Sequence, residues 1–96
     1  MEFDWDPDKE RINLAKHHLD FSWARHIFAD PHLALVYDRF ENGEHRWHAI
    51  GAVAGGERIL LAVHVYLAED DPDRVRIISV RKTTSRERQH YHDERR

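Results

Sequence analysis

The sequence predicts an α+β fold in which a short strand and two helices precede a four-stranded antiparallel sheet, closed by a final helix. Three observations carry this. Helix-capping residues and helical spacing fill the first thirty positions. From Leu33 onward the apolar residues shift to runs of about eight, separated by short turn sequences. After Lys82 the sequence Thr84-Ser85-Arg86-Glu87 places Glu three residues after Thr, the spacing of a capping box.

Each element has a local reason. Glu2–Trp5 reads as a short strand. Asp6-Pro7 starts a helix to about His17: Asp accepts the free backbone N–H groups as N-cap, and Pro at the first helical position loses no needed donor. Ile12, Ala15 and Leu19 are expected on its inner side. Asp20 is expected to cap a second helix to about Ala29, with Phe21, Ala24, Ile27 and Phe28 facing inward, and Asp30-Pro31 ends it. Leu33–Asp38, Arg46–Val53, Arg58–Tyr66 and Val75–Lys82 read as strands. Their connections, Glu41-Asn42-Gly43-Glu44, Ala54-Gly55-Gly56-Glu57 and the acidic Glu69–Asp73, are hairpin-like, which argues for a meander. Thr84 or Ser85 then caps a helix through Arg95. The helices are expected to cover one sheet face and leave the other free.

Ninety-six residues, 41% hydrophobic and 34% charged, suit one domain spanning 1–96. The absence of cysteine excludes disulfides and Cys-based zinc or redox sites. With no long apolar run and an acidic start, the expectation is a soluble cytoplasmic protein with no membrane contact. The net charge of −3 hides an asymmetry. Residues 1–73 carry 7 Lys/Arg against 15 Asp/Glu, whereas residues 74–96 carry 8 against 3. The basic end fits either a phosphate footprint or a solvated Arg-rich helix.

The stretch Phe3-Asp4-Trp5-Asp6-Pro7-Asp8-Lys9, continuing through Asn13, Lys16, His17, Phe21, Phe28 and Asp30-Pro31, resembles the BrnT family, the toxin halves of bacterial type II toxin–antitoxin pairs. The likeness extends through Arg46, Ile50-Gly51, Val63-His64, Arg76–Arg81 and Arg86-Glu87-Arg88 to Tyr91. It departs at His18, where the family usually has Gly. The resemblance implies a RelE-like fold and an RNA-cleaving toxin held inactive by a BrnA-like ribbon-helix-helix antitoxin, with DNA reached only through that partner.

Cutting RNA without metal requires a proton acceptor, a proton donor and cations for the phosphate. His64, in an otherwise apolar strand, is the expected proton-transfer residue; the competing reading is a histidine serving structure. Arg46 and Arg81 are the expected phosphate stabilisers, Arg46 through the family match. Arg81 has an alternative as a surface partner of the 69–73 acids. Arg76 and Arg81 point oppositely in a regular strand and share a face only if the strand bulges. Lys16, Arg76, Lys82, Arg86 and Tyr91 are candidate RNA contacts, although Tyr91 equally suits a ring packed on the sheet. The pairs His17-His18, His45-x-x-His48 and His90-x-His92 match no metal signature, so neither a metal nor another cofactor is expected. A rival reading is a catalytically weak toxin-like module that acts mainly in a transcription-repressing complex.

Overall fold

Val75, Ile77 and Val80 are all buried in one core, and that spacing departs from a regular strand. In this computed structural model, which describes residues 1–95, Val63 pairs with Ser79 but His64 pairs with Ile77, so Ile78 is an extra residue bulged out of the ladder. Arg96, the last residue of the expected domain, lies outside the described residues.

The elements are β1 (Glu2–Asp4), α1 (Pro7–His17), α2 (Trp23–Phe28), β2 (Ala34–Glu41), β3 (Glu44–Val53), β4 (Arg58–Ala68), β5 (Asp71–Lys82) and α3 (Ser85–Glu94), with a helical turn at Ala54–Gly56. The fold is α+β, as expected, and β2 to β5 form the antiparallel meander. The sheet itself has five strands in the order β1-β5-β4-β3-β2, because β1 pairs parallel with β5 through Glu2–Arg74, Phe3–Val75 and Asp4–Arg76. The acidic stretch at 69–73 is mostly strand: Asp71 already pairs with Ala68, which leaves Glu69-Asp70 as the turn.

Helix α1 follows its capping residues. Asp6 accepts from the Asp8 amide at 2.9 Å, and His18 takes the left-handed position at φ 61°, donating its N–H to the Leu14 carbonyl. Its inner face differs from expectation. Ile12 is 67% exposed and Ala15 is also exposed, while Asn13 is buried. The helix attaches through polar groups: Glu10 accepts from the Phe21 amide and the Trp5 indole, and Asn13 bonds the backbone of Val80. Asp20 does not cap α2. It accepts from the Ser22 amide at 2.9 Å and so folds the preceding turn, which delays the helix to Trp23.

Leu19, Phe21, Ala24 and Ile27 pack on Ala49, Val53, Leu60, Ala62, Val75, Ile77 and Val80 to form the main core. Phe28 lies at its edge, half-buried against Phe3, whereas Phe21 is fully enclosed. A second core on the opposite face joins Ala34, Ile50, Leu61 and Tyr91. The helices therefore do not share one face: α3 covers the far end of the face that α1 and α2 leave open. Its capping box forms at Thr84, whose hydroxyl accepts from the Glu87 amide while the Glu87 carboxylate accepts from the Thr84 amide.

Helix α2 lies against β3 at Gly51, where an added Cβ would sit 2.5 Å from the Ile27 carbonyl oxygen. That oxygen is backbone and cannot rotate away. Gly51→Ala is therefore expected to destabilise the fold by about 1–3 kcal/mol, the usual overpacking range, read as a lowered denaturation midpoint at unchanged slope. A midpoint equal to the parent would refute the close approach.

Candidate active site on the uncovered sheet face

The bulge at Ile78 decides which side chains meet. Arg76 stands opposite Val65 and Arg81 opposite Leu61, two β4 positions of equal parity, so both arginines lie on the face away from α1 and α2. On β3, Arg46 and His48 share that face with Ile50, while on β2 a second bulge at Asp38 brings its carboxylate beside His48. Asp38, Arg39, Arg46, His48, Val63, Ile78, Ser79 and Arg81 line one cavity of about 300 Å³. Ile78 and Ser79 also wall a neighbouring cleft with Lys16 and His17, the C-terminal turn of α1.

The cations here are held by carboxylates. Arg46 Nη1 is 3.1 Å from Glu41, which also takes Arg39 Nε at 3.0 Å. Arg46 Nε is enclosed and makes no hydrogen bond to any described residue. His48 Nε2 is 3.4 Å from Asp38 Oδ2. Arg81 makes a two-pronged contact to Glu87 at 2.8 and 2.9 Å, the fork geometry a guanidinium offers a carboxylate. Hydrogen bonds from Arg81 pull the Glu87 carboxyl down to about 2. Arg81 thus pairs with α3, not with the 69–73 acids. The His17 imidazole is held below its ordinary pKa, first by burial and then by the positive charges of Lys16, Arg81 and His18.

His64 is placed elsewhere. It is fully buried on the other face of the sheet, among the core side chains, with Phe28 at 5.0 Å and Tyr66 at 5.1 Å between ring centroids. Neither ring nitrogen has a hydrogen-bond partner of good geometry among the described residues. The sheet separates it from Arg46 and Arg81, because β4 alternation turns positions 62, 64 and 66 toward α1 and α2. Of the other expected contacts, Lys16 borders the cleft, whereas Arg76 is tied to Asp4 and Glu44 at the opposite end of the face. Lys82 pairs with Leu60 and so falls on the helix-side parity. Arg86 is exposed on α3. The Tyr91 ring is buried in the second core and its hydroxyl donates to Asp30, so no ring face is available for a base. His45 and His48 point to opposite faces, and no group of three or more His, Asp or Glu side chains is placed to hold a metal among the described residues. His48 was legible only as half of that spacing; its position two residues after Arg46, on the same strand face, was the signal for a shared site.

A family model described as the ribonuclease toxin BrnT of type II toxin–antitoxin systems matches residues 5–87. The chain belongs to this family. No curated protein matches it. The BrnT match takes in the whole cavity, from Lys16 and His17 to the Arg81–Glu87 pair, and stops before Tyr91. BrnT membership makes the chain a ribonuclease toxin of a type II system, with RNA as substrate and an antitoxin as partner. No helix among the described residues is long and apolar enough to cross a membrane.

Burial pushes the His64 imidazole down to about 4 from an ordinary 6.5, and a backbone contact at Ala62 offsets only part of this. The unfolded chain therefore takes up the proton first as pH falls. The stability His64 contributes is complete above its unfolded pKa and is lost as pH drops toward the folded one. Lowering the pH from about 7 to about 5 should remove about 2 kcal/mol through this residue. Urea titrations of the parent and of His64→Leu check it: the variant should lose most of that pH dependence, and an unaltered dependence would remove His64 as its source.

Proposed function

We propose that this BrnT-family chain is a metal-independent endoribonuclease whose site is the Arg46–His48–Arg81 cavity, and that a BrnA-like ribbon-helix-helix antitoxin neutralises it. The single observation that carries this reading is the convergence of two arginines, the Asp38–His48 pair and the Lys16–His17 turn around the Ile78–Ser79 ridge, on the face that α1 and α2 leave uncovered. A RelE-like architecture, a cytoplasmic setting and DNA contact only through the antitoxin belong to the same proposal.

The chemistry needs two proton-transfer groups and fixed positive charge. His17, whose pKa is lowered, remains a proton acceptor near neutrality and takes the ribose 2′-OH proton. The oxygen attacks the adjacent phosphorus and the bond to the 5′-oxygen breaks, leaving a 2′,3′-cyclic phosphate and a 5′-hydroxyl. His48, oriented by Asp38, returns a proton to the departing oxygen. Arg46 and Arg81 supply the positive charge at the phosphate, each by exchanging part of its carboxylate contact, Arg46 with Glu41 and Arg81 with Glu87. The proton-transfer role expected of His64 passes to these two histidines because its own ring faces the core.

One observation favours the weaker-catalyst reading: Arg81 is already satisfied by Glu87, and Arg46 by Glu41. The two readings separate in one experiment. With purified protein and a defined RNA, His48→Ala and Arg46→Ala should each slow cleavage by about 10²–10⁴-fold at an unchanged melting point. His64→Leu, once folded, should cut at a rate near the parent, and chelation by EDTA should change no rate. Parental cleavage by the Arg46 and His48 variants would move the site off this face. No cleavage by the parent itself, with a stable antitoxin complex, would favour the binding module.

A further inference from the structure

Three of the most exposed large apolar side chains belong to one face of one strand. Leu35 and Tyr37 are each 47% exposed and Phe40 is 61% exposed, all on β2. The bulge at Asp38 keeps them in line: Leu35 pairs with Ala49, Tyr37 with Trp47 and, past the bulge, Phe40 with His45. They lie on the helix-side face, beyond the reach of α2. Tyr37 stacks edgewise on Trp47 at 5.3 Å, Phe40 approaches His45 at 4.9 Å, and Trp47 meets Tyr66 at 6.0 Å. Beside them Tyr37, His45, Trp47 and Tyr66 wall a cavity of about 620 Å³ with Glu44 and Glu69 on its margin. This surface is on the reverse side of the sheet from Arg46 and Arg81.

The sheet edges add a second, independent feature. The β5 side is protected: β1 pairs with its first part, and the Asn13 amide bonds both backbone groups of Val80 further along. At the other end β2 terminates the sheet with eight residues and, among the described residues, no strand on its outer side. A long edge strand with an apolar face is a template for pairing with another chain.

We propose that this edge and aromatic cavity are where the antitoxin docks, by adding an extended segment alongside β2 and inserting apolar side chains between Tyr37, Trp47 and Tyr66. The inference rests on the toxin–antitoxin reading and adds the place and the chemistry of the contact. Charge selects the occupant. Glu69 on the margin, followed by the exposed Asp70, repels a phosphate backbone and attracts lysine or arginine, so the segment is basic at its flank and apolar at its centre. Docking there leaves the Arg46 cavity open, so the neutralising effect comes from the antitoxin mass reaching around the β2 edge, not from a plug in the site.

The test uses the full-length chain and its cognate antitoxin. Leu35→Lys with Phe40→Lys, and separately Glu69→Lys with Asp70→Lys, are compared with the parent by calorimetric titration and by RNA cleavage. Each pair should weaken antitoxin binding by about 10-fold or more, the usual consequence of removing a central anchor, while free-toxin cleavage stays at the parental rate. Hydrogen exchange should show β2 amides 34–41 gaining protection in the complex. Antitoxin binding within about twofold of the parent for both variants would overturn the inference while leaving the toxin–antitoxin reading intact. Loss of RNA binding with normal antitoxin binding would overturn it in favour of a nucleic-acid surface. A dimer of the free chain that the first variant dissociates would overturn it in favour of self-association. A parental chain that forms no complex would bring down the toxin–antitoxin reading itself.

Discussion

The side-chain amide of Asn13 holds the architecture together at the place where a sheet would otherwise end in unpaired backbone. Its Nδ2 donates to the Val80 and Leu19 carbonyls, both at 2.8 Å, and its Oδ1 accepts from the Val80 amide at 3.1 Å and the Ser79 hydroxyl at 2.9 Å. That uses the full capacity of the amide, two donors and two acceptor lone pairs. Toward Val80 the side chain imitates a neighbouring strand. A buried polar group is tolerable only when satisfied in this way, and leaving half of it unmade costs about 1–3 kcal/mol. Because Leu19 is among the partners, one residue fixes α1, the turn after it and the edge of β5 together.

The bulge beside this clamp converts that rigidity into a site. With Ile78 displaced, Val75, Ile77 and Val80 all face the core, and Arg76 and Arg81 both face away from it. Ser79, held by Asn13, forms the ridge between the Lys16–His17 cleft and the Arg46–His48 cavity. A regular strand would have turned one of the two arginines toward the helices. Bulges commonly re-aim side chains next to functional sites, and the same device at Asp38 brings a carboxylate to His48.

Charge on the two sheet faces follows a division of labour. The uncovered face carries arginines paired with carboxylates: Arg46 with Glu41, Arg76 with Asp4 and Glu44, and Arg81 with Glu87. The reverse face carries the aromatic series that runs from the buried Phe28–His64–Tyr66 contacts outward to Trp47 and Tyr37. His64 belongs to this series: an imidazole whose ring nitrogens find no well-formed hydrogen bond among the described residues, kept neutral by burial.

The sequence by itself determined the local elements. Asp6-Pro7, Asp30-Pro31 and the Thr84–Glu87 box act over a few residues, so their effect is legible without a fold. Apolar runs between turn sequences located β2 to β5, and most of the residues that carried the BrnT resemblance lie within the stretch that the family model matches. The tertiary structure alone decided everything that depends on register. A one-residue bulge reverses the facing of every later side chain, so nothing in the spacing of Arg76 and Arg81 could place them together. The same holds for β1, whose parallel partner lies about seventy residues away, and for Asn13, a polar residue in a helix until Val80 is beside it. His64 in an apolar strand looked chemically poised because sequence gives a side chain its titratable group but not its face. Packing against Phe28 assigned that group to the core and left the open face to His48.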